Sequence, residues 1–245
     1  MPNIGLQLYT VRELLAGDFE GVVRHVAEIG YEGVETGGVY GESPADAARL
    51  FRELGLQVSS AHLSLDNPEK AVDVAQTLGT KRVVCAWYPP ERFTTVEAIR
   101  GVCEELNRAN QVLRASGLEL LYHNHWQECG IVEGKPAYQH MLTFLEPTVD
   151  FEVDVYWAKT AGRDPLAMLR ELGKRAPLVH MKDGPASSQE AAMTALGEGV
   201  VDIRSIANAT RTTADWWIVE LDRCDTDMMQ AVEKSFAYLK NLRDG

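Results

Sequence analysis

The chain has 245 residues and a formal net charge of −12, which allows one large domain with a substantial core and disfavours the clustered Lys and Arg of a nucleic-acid-binding surface. Its four cysteines, Cys85, Cys103, Cys129 and Cys224, form no C-x-x-C pair, so they fit reduced thiols rather than a zinc ribbon or redox motif. No apolar run approaches the roughly 20 residues of a membrane span, and residues 1–5 carry no basic flank or apolar segment of a signal peptide, so a soluble cytoplasmic protein is expected.

Residues 4–9 read as a first strand, followed by a polar loop over 10–18. Phe19, Val22, Val23, Val26 and Ile29 recur at helical spacing behind Asp18, a natural N-cap, and Gly30 stops the helix. A short strand over 32–36 ends on Glu35 and a Gly-Gly break. The cycle then repeats. Ser43-Pro44 opens a helix that Gly55 closes, the strand 57–62 ends on His62, Asn67-Pro68 opens a helix that Gly79 ends, and the strand 82–87 ends on Trp87. A long helix capped by Thr94 or Thr95 runs to Ser116. After it come a strand ending in Tyr122-His123-Asn124-His125, a helix over about 135–145, a strand closing on Asp154, and a helix over 164–174. A strand closing on His180, a helix over about 202–209, a strand closing on Glu220 and a last helix over 225–242 complete the chain.

Eight strand-then-helix units with continuous apolar strands predict buried parallel pairing and an α/β fold, a (β/α)8 TIM barrel, as a single domain over 1–245. An open doubly wound sheet would want a Gly-rich phosphate loop after a strand, and the sequence has neither G-x-G-x-x-G nor G-x-x-x-x-G-K-[ST].

In such a barrel the chemistry sits at the C-terminal ends of the strands. That rule selects Tyr9, Glu35, His62, Trp87, His123 with His125, Asp154, His180 with Lys182, and Glu220. Each has an ordinary alternative: a strand-end His bonded in the core, an Asp that caps a helix. Convergence of so many polar strand ends on an ion or ligand accounts for them together. His nitrogens with carboxylate oxygens suit Mn²⁺, Co²⁺, Zn²⁺ or Fe²⁺, and no thiolate is among the candidates. His123 and His125 face one pocket if the strand persists through both. Trp87, Trp126 and Trp157 offer aromatic faces to sugar C–H surfaces. The loop 195–202, with Gly197 and Gly199, is either a hinge, a place where backbone meets ligand, or a plain turn.

The motifs Tyr122-His123-Asn124-His125, Val153-Asp154-Val155-Tyr156-Trp157, Val179-His180-Met181-Lys182-Asp183, the stretch from Gly197 to Asp202, and Ile218-Val219-Glu220-Leu221-Asp222 together resemble the sugar phosphate isomerase/epimerase family of the xylose-isomerase-like barrel superfamily. The resemblance implies one divalent metal, manganese first and Co, Zn, Fe or Mg otherwise. Its ligands would be Asp154, His180 and Glu220, joined by His123 where ketose epimerases have a Glu. It implies an isomerase or epimerase acting through an enediolate on a ketose or keto-sugar. Glu220 or Glu128 would be the base, with His125 and Lys182 holding or protonating oxygens, and Tyr9, Glu35, His62, Trp87, Trp126 and Trp157 around the substrate. The His at strand five is similar to the inosose dehydratase branch, so a lyase of that or the 3-keto-glycoside type is the alternative. An endonuclease IV-like phosphodiesterase would need a basic groove that a charge of −12 does not suggest; a non-catalytic sugar-binding barrel would keep the aromatics and lose the base. The partner expected is a small sugar, without nucleic acid or membrane, and the family implies a possible homo-oligomer.

Overall fold

The computed structural model describes residues 1–245, and the eight repeats close into a parallel barrel. Its strands are β1 (Asn3–Gln7), β2 (Gly33–Thr36), β3 (Gln57–His62), β4 (Arg82–Cys85), β5 (Glu119–His123), β6 (Val149–Asp154), β7 (Leu178–Met181) and β8 (Trp216–Val219). They pair in sequence order, with β8 returning to β1. The expected caps hold the helices: Asp18, Ser43, Asn67 and Thr95 each accept a backbone N–H at the first turn, and Asp202 does the same for its helix. No helix is long and apolar enough to cross a membrane.

The period of two within each strand builds the interior in layers. A small apolar plug of Val84, Leu121, Leu178, Trp216 and Ile218 fills the lower barrel, apart from the main core between strands and helices. Trp216 lies against β1 and β2, where only glycine leaves room: a Cβ on Gly33 would come within 2.5 Å of its ring. Two residues beyond three of the plug positions the strands turn polar, Leu121 leading to His123, Leu178 to His180 and Ile218 to Glu220, and the two glycines beside Trp216 do the same, Gly5 leading to Gln7 and Gly33 to Glu35. The sequence thus seals the bottom and places a polar ring at the top.

Three details differ from the expectation. The first strand ends at Gln7, and residues expected as loop form a 3-10 turn (Leu8–Val11) and a short helix (Arg12–Gly17), because Val11 and Leu15 are spaced to bury one face. The fifth strand ends at His123, so the strand alternation does not carry through His125. An additional helix, Val155–Thr160, starts directly at Asp154.

Candidate active site

The C-terminal strand ends bring two overlapping groups of donors together: His123, Asp154, His180 and Glu220, and His62, His123, Glu152 and His180. Within each group one atom per residue lies within 4.8 Å of the others. A cavity of about 860 Å³ opens onto them and is bordered on this side by Tyr9, His62, His123, His125, Glu220 and Asp222.

Asp154 does two things at once. Its Oδ1 accepts the amides of Tyr156 and Trp157, both at 2.9 Å, and so caps the helix that follows. Its Oδ2 is left inside the site, 2.9 Å from Lys182 Nζ and 3.9 Å from His123 Nε2, but aligned for a hydrogen bond with neither. Asn124 fixes the backbone here, accepting from the Asp154 amide at 3.0 Å.

His180 is gripped through both ring nitrogens: Nδ1 lies 2.7 Å from Glu220 Oε2 and Nε2 lies 2.6 Å from Glu35 Oε2. Burial opposes charge on this ring, yet Glu152, Glu35 and Glu220 together hold its pKa well above the ordinary value. His62 stacks parallel to it at 5.7 Å and reaches Glu152 Oε2 at 2.7 Å; against burial, Glu35 and Glu152 push it up to about 10. His123 is the opposite case. Burial, then the neighbouring His180, hold it well below its usual value, so this ring is neutral and ready to ligate, whereas an ion held by His180 would displace a proton from it. Glu152 Oε2 lies 3.1 Å from its Nδ1, but poorly aligned, leaving that nitrogen unbonded.

Lys182 supplies the cation among these carboxylates. Its ammonium is 2.9 Å from Asp154, 2.8 Å from Glu220 and 2.8 Å from Asp222. Burial disfavours its charge, but the three carboxylates hold its pKa well up. Burial likewise raises the Glu220 carboxyl, but Lys182 and His180 overcome this and hold it below its usual range. Asp154, raised by burial despite Lys182, titrates at about 6.

The donor set fits a divalent ion. Two nitrogens and two carboxylates suit Mn²⁺, Zn²⁺, Co²⁺ or Fe²⁺; His123 Nδ1 is buried without a hydrogen-bond partner, a costly arrangement, and Asp154 Oδ2 makes no aligned hydrogen bond, its nearest cationic neighbour being Lys182 at 2.9 Å. The Nε2 grip of Glu35 on His180 is the outer carboxylate–histidine contact that orients a ligating imidazole.

The remaining expected residues divide. Tyr9, exposed and stacked under Arg12 at 4.1 Å, borders the cavity from the turn rather than from the strand. Trp87 borders it too, with its ring edge-on to His125 at 4.7 Å. Trp126 and Trp157 stand behind His125 and do not border it. His125 reaches the cavity although its strand has ended, and burial and Lys182 lower its pKa to about 3. Glu35 is fully buried, bonded to Gln7 at 2.7 Å and to His180, beneath the cavity rather than in its wall. The loop at Gly197 and Gly199 is no hinge. Asp183 accepts the amides of Gly197, Gly199 and Val201 at 2.9, 3.1 and 3.0 Å, and a Cβ on Gly199 would fall 2.1 Å from its carboxylate.

Glu128, expected as the alternative base to Glu220, does not border the cavity. It follows the strand in a 3-10 turn and is bonded to the Tyr122 hydroxyl and, at 2.8 Å, to the His125 amide, away from the cavity. Burial raises its pKa to about 7 from 4.5. The native state therefore keeps a proton that the unfolded chain loses above pH 4.5, so the stability from this group is present at low pH and lost as pH rises through 7. Glu128→Gln is expected to melt higher than the wild type at about pH 8, by up to about 3 kcal/mol, with the gain gone near pH 5.

Sequence reasoning missed Gln7, Glu152, Asp183 and Asp222. Glu152 was detectable, since it lies two residues before Asp154 on the same strand and shares its inward face.

Comparison with known proteins agrees with this architecture. The profile of the xylose isomerase-like TIM barrel family matches residues 23–242. A sugar phosphate isomerase/epimerase from Parabacteroides distasonis superposes with a TM-score of 0.84 at 25% identity, covering 97% of this chain and 93% of its own. The probable 3-DHS dehydratase of Bacillus anthracis shares the fold, with a TM-score of 0.76 at 15% identity over 99% of this chain and 98% of its own. An inosose dehydratase of Mesomycoplasma hyopneumoniae is 26% identical over 197 residues, 69% of this chain; the match spans 64% of that protein's length.

Proposed function

Because this chain belongs to the xylose isomerase-like TIM barrel family, we propose that it is a divalent-metal-dependent isomerase or epimerase that moves the proton beside the carbonyl of a ketose or keto-sugar. The observation that carries the proposal is the convergence of His123, Asp154, His180 and Glu220 from four consecutive strand ends, each offering a donor atom within 4.8 Å of the others, under an open cavity. A divalent ion held by these four residues would supply Lewis-acid polarisation of the substrate carbonyl.

The chain's own groups then divide the proton work. Glu220 borders the cavity, and its contacts with His180 and Lys182 both fall on Oε2, so Oε1 is free to take the α-proton. Lys182, charged and 2.8 Å from Glu220, does not itself border the cavity and acts through that carboxylate, holding Glu220 in its ionised form. His125, neutral and bordering the cavity, offers its imidazole to a substrate hydroxyl. Trp87 borders the cavity beside His125 and offers its ring to the sugar.

A second reading, loss of a β-hydroxyl as in a dehydratase, draws support from His123. A neutral imidazole stands where a two-base epimerase wants a second carboxylate, and the inosose dehydratase relatives point the same way. One experiment tests the proposal and separates the readings. The purified protein is analysed for metals, and keto-sugars are incubated with it in deuterated water. About one divalent ion per chain and carbon-bound deuterium in the sugar are expected; deuterated isomer or epimer supports the first reading, an unsaturated product the second. Absence of metal after loading, or of exchange with every keto-sugar, overturns both.

A further inference from the structure

The cavity over the donor cluster extends past what a single sugar ring occupies. At about 860 Å³ it falls in the upper part of the range of about 300–1,000 Å³ typical of clefts for drug-sized ligands. Its two ends differ in chemistry. One holds His62, His123, His125, Glu220 and Asp222; the other mixes apolar Leu63, Leu65, Cys85, Tyr88, Ala109 and Val112 with Ser64, Asp66, Glu105 and Arg108 of the same loop and helix.

The strand alternation shows where the second end lies. Val84 points into the barrel with the apolar plug, so Cys85 points outward, and the cavity leaves the barrel between β4 and the helix Val96–Ala115. That helix presents Glu105, Arg108, Ala109 and Val112 at spacings that share one face. Trp87, 46% exposed, stands between the two ends.

The charge pattern narrows the occupant. Arg108, exposed, is the one Lys or Arg bordering the cavity, flanked by Asp66 and Glu105, and Glu105 is already tied to Arg92 at 2.8 Å. No cationic cluster is available for a phosphate or carboxylate tail, whereas the half-buried Leu63, Leu65 and Val112 offer apolar surface to a neutral group.

We propose that this arm is an aglycone subsite: the substrate is a glycoside whose sugar ring lies over the donor cluster and whose apolar, preferably aromatic, aglycone lies between Leu65 and Val112. The assignment rests on the sugar chemistry proposed above. Its test is binding rather than turnover. Phenyl and methyl β-D-glucopyranosides, with their galacto counterparts, are titrated calorimetrically into the purified protein, Val112→Trp, which fills the arm, and Leu65→Ala, which strips its loop wall.

The wild type is expected to bind a phenyl glycoside at least about tenfold more tightly than the matching methyl glycoside. That ratio is expected to fall to near one in Val112→Trp and to shrink in Leu65→Ala, with thermal melts reporting that each variant is folded. Equal affinities in the wild type, no binding of either up to the solubility limit, or a ratio unchanged in both variants overturns the assignment. If deuterium exchange fails with every keto-sugar while the phenyl advantage and its loss persist, the arm stands and the reaction falls. If exchange succeeds with equal affinities, the arm alone falls.

Discussion

Glu220→Gln is expected to lower deuterium exchange into a keto-sugar by about a thousandfold or more while leaving the barrel folded. The side chain borders the cavity, and its contacts with His180 Nδ1 at 2.7 Å and Lys182 Nζ at 2.8 Å fall on one oxygen. An amide keeps that shape: its oxygen can accept from both donors, so the imidazole and the ammonium stay where they are. What it loses is basicity, together with the anionic oxygen that would help to hold the divalent ion. Single-turnover exchange measured with metal analysis on the same sample separates the two losses. A variant that retains its metal and loses exchange identifies Glu220 as the base. Exchange within tenfold of the wild type would move that role to Asp222, the other carboxylate bordering this end of the cavity.

Asp154 offers the second large effect, because its two oxygens serve different ends. In Asp154→Ala both are lost: the helix Val155–Thr160 loses its cap, and Lys182 loses one of three buried carboxylate partners. Loss of the cap costs about 1 kcal/mol, and a buried cation deprived of a partner costs about 3–5 kcal/mol, discounted here because Glu220 and Asp222 remain. Destabilisation of a few kcal/mol is therefore expected by denaturant unfolding. Asp154→Asn keeps a carbonyl oxygen for the amides of Tyr156 and Trp157 and removes the charge. That variant is expected to unfold within about 2 kcal/mol of the wild type and yet to bind a divalent ion at least about tenfold more weakly. Equal metal content in Asp154→Asn and wild type would show that Asp154 is a cap and counter-ion for Lys182 and no ligand.

The strand ends were legible because a strand's geometry is local. Once residues 119–123 are read as an inward-alternating strand, Leu121 and His123 must share a face, and the same holds for Leu178 with His180 and for Ile218 with Glu220. A barrel then leaves those side chains one place to meet, so fold, cavity end and the four-residue cluster follow from periodicity and the closure rule. Asp18, Ser43 and Asn67 were readable for the same reason, since a cap bonds within its own first turn.

Partners across the barrel were not legible. That Glu35 grips His180, that His62 turns to Glu152, and that Lys182 joins Asp154, Glu220 and Asp222 depends on how far each strand is staggered against the others and on which rotamer fits beneath the cavity. Residues beyond the strand ends escaped as well. Glu128 was expected as an alternative base to Glu220, but a 3-10 turn obeys no period of two and carried it to Tyr122, off the cavity wall. Gly199 looked like freedom to move and proved to be room for Asp183. The sequence by itself determined which faces the strands turn inward, because alternation needs only neighbours along the chain. The tertiary structure alone decided which carboxylate each cation meets, because those distances are set by residues as far apart as 145 positions in sequence.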